Sequence, residues 1–326
     1  MKPSIIPIFI FSLPRSGSTL CQRVLAAHDE VATASESHIL LPLFYTLKEK
    51  GVYSEYSHAY TVKGIRAFCQ ELPGGEADYH AEIREFVLHL YAKAAGEQAR
   101  YFVDKAGAYH LIVEEIINHF PDARFIFLWR NPLAVIASLM TSWRDGKWNL
   151  YEHLIYLYDG LPKLVAACQR HANHVCMVRY EDLIIEPAGE WRRIFAYLDL
   201  QYESGFLDRF AQVHLRGDLG DQPGMRRYRK LNAEPLEKWK STLSNPIRKA
   251  WCRRYLQFIG RERLAYMGYD LDALSAELRG LPPSLRYLPG DIWRIPYGAA
   301  FRFLEGKMVK EKLRRWRAGE RIYLHQ

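Results

Sequence analysis

The sequence predicts an α/β protein built on parallel β-strands. Apolar runs rich in β-branched and aromatic residues occur at residues 5–13 and 125–129, and a cluster of small or polar residues closes each run. Strands of a parallel sheet are buried on both faces and therefore read as continuous apolar runs. Apolar residues then return at helical spacing directly after each cluster. The pattern indicates strands that lead into helices, and the length of 326 residues suits either one large α/β domain or one domain with additions.

The turn after the first strand carries residues that suit an anion. It consists of Pro14, Arg15, Ser16, Gly17, Ser18 and Thr19, and a helix begins within it. Unpaired N–H groups and the helix dipole attract anions to such a turn, and the Arg15 guanidinium matches phosphate or sulfate oxygens. A nucleotide-kinase loop is disfavoured, because Gly-x-x-x-x-Gly-Lys-Ser/Thr is not present here. A plain strand-to-helix turn with a surface arginine is the alternative.

Residues 14–20 resemble the 5′-phosphosulfate-binding loop of sulfotransferases that use 3′-phosphoadenosine 5′-phosphosulfate (PAPS), in the form of the tyrosylprotein and bacterial branches. The resemblance covers roughly residues 5–270. It implies a P-loop-like three-layer sandwich, a central parallel sheet with helices on both faces. It also implies that residues 14–19 bind the donor and that Arg15 takes part in catalysis.

Glu36 follows a short predicted strand at residues 31–34. Polar residues just beyond the carboxyl end of such a strand lie at the ligand crevice, which favours a functional carboxylate. In the tyrosylprotein-type enzymes a glutamate at about this distance from the loop is the general base, and the resemblance gives that role to Glu36. The family has two consecutive acids where this chain has Ser35-Glu36. A helix-terminal acid without chemistry is the alternative.

Lys105 ends a third predicted strand, at residues 100–105, and falls at the same edge of the sheet. The resemblance implies that it is the catalytic lysine, which contacts the transferring sulfuryl group and the bridging oxygen. In the branch that acts on small molecules, a histidine two residues later is the base. This chain has Gly107 at that position, which favours Glu36. His38 and His110 are expected to be surface or structurally satisfied histidines.

Arg130 ends the next predicted strand, and the Asn-Pro that follows starts a helix as its cap and first position. Arg130 and Ser138 match the family's 3′-phosphate-binding pair. Residues 174–183 read as another strand, and Tyr180 in its Arg-Tyr-Glu-Asp-Leu segment matches a tyrosine near the adenosine. The two acids after Tyr180 are expected to hold backbone groups rather than to do chemistry.

Glycines and then basic residues fill residues 214–230. In the family a mobile basic segment at this place closes over the 3′-phosphate of the nucleotide. Lys230 matches that position, with Arg227 or Arg226 as substitutes. A solvated charged loop is the alternative.

Aromatic residues crowd residues 40–60 and 143–158. The first group predicts either an acceptor pocket or lid, or helical packing. The second is predicted to be helical and to serve as packing or acceptor surface. Residues 159–162, Asp-Gly-Leu-Pro, are predicted to break that helix.

The net charge of +8 is concentrated in residues 281–326, which hold ten Lys/Arg and four Asp/Glu. Nucleic acid is not an expected partner, because a duplex-binding footprint would spread over a face of the domain. We predict a sulfotransferase domain at residues 1–280 and a basic, partly helical extension at 281–326. The extension would pack on the body, contact an anionic membrane surface or mediate homo-oligomerisation.

Five scattered cysteines without metal-ligand spacing indicate a reducing compartment. The sequence shows neither a signal-peptide pattern nor a run of about 18–20 apolar residues. A cytoplasmic location is therefore expected.

Together with the resemblance, these patterns predict transfer of a sulfuryl group from PAPS to a hydroxyl acceptor, with 3′-phosphoadenosine 5′-phosphate (PAP) as product and no metal. A kinase-like P-loop phosphotransferase and a catalytically silent nucleotide-binding or scaffold protein stay open. The acceptor class is open among a peptide tyrosine, a glycan, a lipid and a small metabolite.

Overall fold

A parallel sheet of five strands forms the centre of the protein, in a computed structural model that describes residues 5–215 and 231–319. The strands are β1 (Ile6–Phe11), β2 (Val31–Thr33), β3 (Tyr101–Asp104), β4 (Arg124–Trp129) and β5 (Val175–Arg179). They lie in the order β2–β3–β1–β4–β5, and every neighbouring pair is parallel. All five were predicted from the apolar runs, although β5 ends at Arg179 and a helix begins at Tyr180.

Helices connect and cover these strands. They are α1 (Ser18–Leu25), α2 (Leu40–Tyr45), α3 (His58–Cys69), α4 (Glu76–Ala95), α5 (Val113–His119), α6 (Pro132–Arg144), α7 (Leu161–Arg170), α8 (Tyr180–Ile185), α9 (Pro187–Tyr197), α10 (Phe206–Arg209), α11 (Glu234–Glu237), α12 (Trp239–Leu243), α13 (Pro246–Tyr266), α14 (Leu271–Gly280), α15 (Leu288–Phe303) and α16 (Gly306–Arg317). Short 3₁₀ segments lie at Gly107–Leu111, Leu150–Glu152, Ala172–His174 and Phe210–Gln212, and a π-helical turn at Ile155–Gly160. None of the helices described is long and apolar enough to cross a membrane.

The alternation of side chains along β1 produces three layers. Phe9 and Phe11 enter a core shared with α4, α6 and α7, whereas Ile8 and Ile10 enter a second core shared with α1, α9 and α10. All four side chains are at most 1% exposed. Successive residues of a strand point to opposite faces, so a strand that is apolar at every position must be covered on both sides. This confirms the predicted sandwich.

The start of α6 follows from its sequence. Asn131 Oδ1 accepts a hydrogen bond from the Leu133 N–H at 2.9 Å, and Pro132 occupies the first turn. The cap satisfies a donor that has no partner inside the helix. The predicted cap is therefore confirmed.

The segment after α6 differs from the prediction. Residues 143–158 are not one helix, because Asp145 and Gly146 adopt left-handed backbone angles (φ 50° and 82°) that end α6. Residues 159–162 do not form a break either, since the π-helical turn runs directly into α7. Pro162 has no N–H to donate, and the helical run accommodates it next to the junction of the π-helical turn and α7. Gly160 instead permits close packing: a Cβ at this position would lie 2.9 Å from His110 Cδ2.

A buried ion pair attaches the segment after residue 280 to the body. Arg248 of α13 donates to Asp291 of α15 from Nε at 2.7 Å and from Nη2 at 2.8 Å. Asn245 Nδ2 donates to the same carboxylate at 2.7 Å. Arg248 and Asp291 are 0% and 1% exposed. The domain boundary at residue 280 stays a prediction.

Candidate active site

The loops at the carboxyl edge of the sheet surround a cavity of about 380 Å³. Because β1 lies between β3 and β4, the loops after these three strands converge on one place. The predicted site residues that line the cavity are Pro14, Arg15, Gly17, Ser18, Thr19, Glu36, Lys105, Arg130 and Tyr180. The volume is within the range of small-molecule sites.

The loop after β1 depends on a glycine at position 17. Gly17 has φ +96°, and a Cβ there would lie 2.3 Å from Cδ2 of Tyr180, so both backbone angle and space require glycine. The Tyr180 ring thus lies against the turn. Ser18 and Thr19 follow in the first turn of α1, before its first backbone bond from Cys21 to Gly17. Their N–H groups therefore have no acceptor within the helix, which is the arrangement that holds an anion.

Ser16 differs from its neighbours in this loop. Its side chain is buried, its N–H donates to the Leu13 carbonyl at 3.3 Å, and it does not line the cavity. Ser16 shapes the turn in this structure.

Lys105 and Glu36 form an ion pair inside the cavity. Lys105 Nζ lies 2.6 Å from Glu36 Oε1 and 3.2 Å from Thr19 Oγ1. The Lys105 side chain is 4% exposed and that of Glu36 is 21% exposed. A lysine this buried needs a counter-charge, and the carboxylate supplies it. A cation, a carboxylate and the first turn of α1 are thus in direct contact.

The environment of Glu36 keeps it ionised. Burial raises its pKa, but a hydrogen bond from His38 and the charge and hydrogen bond of Lys105 outweigh burial and lower the pKa to about 2. His38 Nε2 lies 3.4 Å from Glu36 Oε2. His38 was expected to be a surface or structurally satisfied histidine, yet it lines the cavity and contacts the predicted base.

Asp104 holds the strand end and the Glu36 loop together. The carboxylate is 2% exposed and accepts hydrogen bonds from Tyr91 Oη at 2.5 Å, Tyr109 Oη at 2.7 Å and Ser37 Oγ at 3.0 Å. Burial raises the pKa of Asp104, and these hydrogen bonds oppose the rise. Asp104 precedes Lys105 and Ser37 follows Glu36. The hydrogen bond between Ser37 and Asp104 therefore holds the two segments that carry the ion pair next to each other.

Arg15 connects the loop to α6. Its Nε donates to Ser138 Oγ at 3.2 Å, and its guanidinium lies 5.4 Å from the Trp143 ring centroid. Ser138 therefore contacts Arg15 and does not itself line the cavity.

Arg130 lies between the loop and α11. It donates to the Arg15 carbonyl at 2.8 Å and to the Pro235 carbonyl at 2.9 Å, and its guanidinium stacks 4.4 Å from the Tyr180 ring centroid. Next to Tyr180, Glu181 accepts from the Asn131 N–H at 2.9 Å. Glu181 thus holds a backbone N–H group, as predicted. Arg227 and Lys230, with Arg226 as a further substitute, lie outside the described residues.

Sequence reasoning missed part of the cavity wall. Trp143, His153, Tyr156 and Lys307 also line it. The first three lie in the aromatic segment at residues 143–158, which was predicted to serve either as packing or as acceptor surface. No local signal pointed to Lys307 of α16. Burial lowers the pKa of His153 to about 4, so its imidazole is neutral at physiological pH.

Gly107 has a packing role at the position where the small-molecule branch has a histidine. A Cβ at residue 107 would lie 3.0 Å from Cγ of Pro14. A side chain at this position would therefore press on the anion loop. Among the residues described, no group of three or more His, Cys, Asp or Glu could hold a metal ion.

A family model described as the sulfotransferase family matches residues 7–204. The chain belongs to the sulfotransferase family. The matched region begins at the second residue of β1 and extends beyond β5, so it includes every loop at the carboxyl edge of the sheet.

The chain is also similar to individual proteins. The chain is 26% identical over 314 residues to nodulation protein NoeE of Sinorhizobium fredii, covering 86% of this chain and 70% of that protein. It is 23% identical over 285 residues to protein-tyrosine sulfotransferase 1 of Danio rerio, covering 81% and 72%. Among solved structures, the sulfotransferase domain from the curacin biosynthetic pathway has a TM-score of 0.47 at 20% identity and covers 74% of this chain and 92% of that domain.

Proposed function

We propose that this sulfotransferase transfers a sulfuryl group from PAPS to the hydroxyl of an acceptor, without a metal ion. The observation that carries the proposal is the contact of Lys105 with both Glu36, at 2.6 Å, and Thr19 of the anion loop, at 3.2 Å. Attack of a hydroxyl on sulfur needs a group that takes the proton and cations that stabilise the developing negative charge. Both kinds of group lie together in one cavity.

Each group then has a separate task. PAPS would supply the sulfuryl group, and residues 14–19 would hold its 5′-phosphosulfate at the start of α1. Arg15 and Lys105 would stabilise charge on the sulfuryl and bridging oxygens, while Glu36 would take the proton of the attacking hydroxyl. The fit to the donor rests on this cradle of loop N–H groups and two cations around a single cavity.

Glu36 becomes a stronger base when Lys105 turns away from it. With a pKa of about 2, Glu36 is ionised at neutral pH but has little affinity for a proton. Lys105 Nζ has three N–H donors, and sulfuryl oxygens that draw this ammonium toward them would lengthen its bond to Glu36. That lengthening removes part of what lowers the Glu36 pKa, so the base strengthens when the reacting groups are assembled.

In this proposal Arg130 binds the 3′-phosphate of the donor. Arg130 lines the cavity beside Tyr180, whose ring would face the adenosine. Ser138, Arg227 and Lys230 complete the proposed set, Ser138 through its contact with Arg15. Trp143, which lines the cavity and is half exposed, offers an aromatic surface to the acceptor.

Calorimetric titration with PAP, AMP and ATP–Mg²⁺ tests the donor. We expect PAP to bind and AMP to bind far more weakly, because AMP lacks the 3′-phosphate. Arg130→Ala should weaken PAP binding about 10- to 100-fold, the value of a charge-assisted hydrogen bond. Arg124→Ala, at the opposite end of β4, is the matched control and should bind normally.

Two results would contradict the proposal. Preference for ATP–Mg²⁺ would indicate a phosphotransferase. Tight PAP binding without sulfuryl transfer to any member of a broad hydroxyl panel would indicate a silent nucleotide-binding protein.

A further inference from the structure

The last two helices present an apolar surface to solvent. On α15 its members recur every three or four residues, and on α16 they do the same. This surface, here called the C-terminal apolar stripe, comprises Ile292, Pro296, Ala299, Phe303, Val309, Leu313 and Trp316, all exposed. Phe303 is 87% exposed and Trp316 is 67% exposed. Large apolar side chains exposed at helical spacing on two consecutive helices are typical of surfaces that bind something.

Positive charge borders the stripe on α16. Lys310 and Arg317 each follow a member of the stripe by one residue, and Lys312 precedes Leu313. Residues 288–319 contain eight Lys/Arg and three Asp/Glu, and Asp291 is already paired with Arg248. A helix with an apolar stripe that contains tryptophan, bordered by lysine and arginine, has the composition of helices that lie in a membrane interface.

A cleft beside the stripe adds to this charge. It has a volume of about 270 Å³ and lies between the extension and the body. Its lining residues are Arg144, Trp148, Tyr151, Glu152, Trp293, Arg294, Tyr297 and Lys310. Arg144 is paired with Glu152 at 3.0 Å, so the surplus positive charge rests on Arg294 and Lys310. Such a cleft suits the phosphate of a lipid headgroup.

We propose that the C-terminal apolar stripe docks this enzyme on an anionic membrane surface. Charge decides between a membrane and a second copy of the chain: two copies that met through this face would bring two positive surfaces together, whereas anionic lipid neutralises one. Each lysine or arginine near such a surface strengthens binding about fivefold.

The same helix connects the stripe with the catalytic cavity. Lys307, in the first turn of α16, lines that cavity. Leu313 lies six residues further along the helix, a rise of about 9 Å. Each residue turns an α-helix by about 100°, so Val309, Leu313 and Trp316 lie on the side of α16 opposite to Lys307. A docked enzyme would therefore hold its cavity one helix diameter, about 10 Å, from the lipid surface.

Vesicle sedimentation tests the proposal with the full chain. The protein should sediment with vesicles of phosphatidylcholine mixed with phosphatidylglycerol, far less with phosphatidylcholine alone, and less as salt is added. The double variant Lys310→Gln/Arg317→Gln should bind about 25-fold more weakly, from two lost charges. Leu313→Glu/Trp316→Glu should not bind. Phe86→Glu on α4 is the matched control, because Phe86 is also exposed (52%), and it should bind like the unaltered protein.

Equal sedimentation of the stripe variants and the unaltered protein would overturn the proposal, as would binding that does not depend on phosphatidylglycerol. A third result would also overturn it: the unaltered protein fails to bind vesicles, forms a dimer in light scattering, and loses that dimer in the Leu313→Glu variant. Titration of each variant with PAP separates this result from the proposed function, since stripe variants should bind PAP normally whether or not they bind lipid.

Discussion

At the scale of single residues, the pair of Lys105 and Glu36 joins stability to reactivity. The lysine side chain is 4% exposed, so its charge is tolerated because Glu36 neutralises it at 2.6 Å. The pair keeps the carboxylate ionised and the ammonium beside the anion loop before any substrate arrives. The cost of ordering both groups is then met on folding rather than during the reaction.

Replacing either member of the pair should separate turnover from binding. Glu36→Gln removes the base and should lower kcat about 10²- to 10⁴-fold. Lys105→Ala removes a cation at the reacting group and should lower kcat by about 10²- to 10³-fold. Both should retain most of their PAP affinity, measured by calorimetry. Glu114→Gln is the matched control, because Glu114, like Glu36, pairs with a cationic side chain and a histidine but lies outside the cavity. Full activity of Glu36→Gln would remove Glu36 as the base.

His38 should control the pH at which activity is lost. Glu36 acts in its deprotonated form, and its pKa of about 2 places its titration below the pH range of ordinary assays. The hydrogen bond from His38 lowers that pKa, so His38→Ala should raise it and move the acid limb of kcat/KM to higher pH. His89→Ala, at an exposed position on α4, should leave the profile unchanged. In assays extended to the acid pH at which the unaltered protein loses activity, an unmoved acid limb in His38→Ala would show that Glu36 is not the group that titrates.

At the scale of elements, the contact between the turn before α1 and the start of α8 shapes the anion loop. Gly17 and Tyr180 are far apart in sequence, yet the ring fills the space where a Cβ would stand. The Tyr180 ring therefore fixes the position of the Gly17 backbone, and with it the position of the N–H groups that would bind an anion.

Gly17→Ala should disrupt the anion loop although it adds only one methyl group. The new Cβ would meet the Tyr180 ring at 2.3 Å, and φ +96° strains any L-residue. We expect loss of PAP binding in calorimetry and a lower free energy of unfolding in urea. Gly189→Ala on α9 is the matched control: a Cβ there meets nothing within 4 Å, so it should stabilise the protein by about 0.5–1 kcal/mol. Normal PAP affinity in Gly17→Ala would mean that the loop does not bind the nucleotide.

At the scale of the whole molecule, the ion pair of Arg248 and Asp291 joins the extension to the body. Arg248 also donates to the carbonyls of Thr242 and Gly146 at 2.8 Å and 2.7 Å. It thereby links α12, the end of α6 and α15. The contacts that hold the extension thus pair both buried charges with each other.

Breaking this pair should weaken the attachment of the extension. Asp291→Ala leaves the Arg248 charge buried without its counter-charge and should lower the free energy of unfolding by about 3–5 kcal/mol. Arg248→Met/Asp291→Leu removes both charges and should cost much less, which urea denaturation of the two variants would measure. Equal losses in the two variants would show that packing, not charge, holds the extension.

Local patterns in the sequence determined the strands, the anion turn and the start of α6, because hydrophobic period, glycine and capping chemistry act within a few residues of each other. Only the tertiary structure decided which side chains meet. Arg15 and Ser138 are 123 residues apart, and Lys105 and Glu36 are 69 apart. The resemblance paired Ser138 with Arg130, whereas Ser138 contacts Arg15 in the structure. Lys307 lines the cavity although no local signal pointed to it. Strand order and the packing of the extension set these contacts, and no periodicity along the chain encodes either.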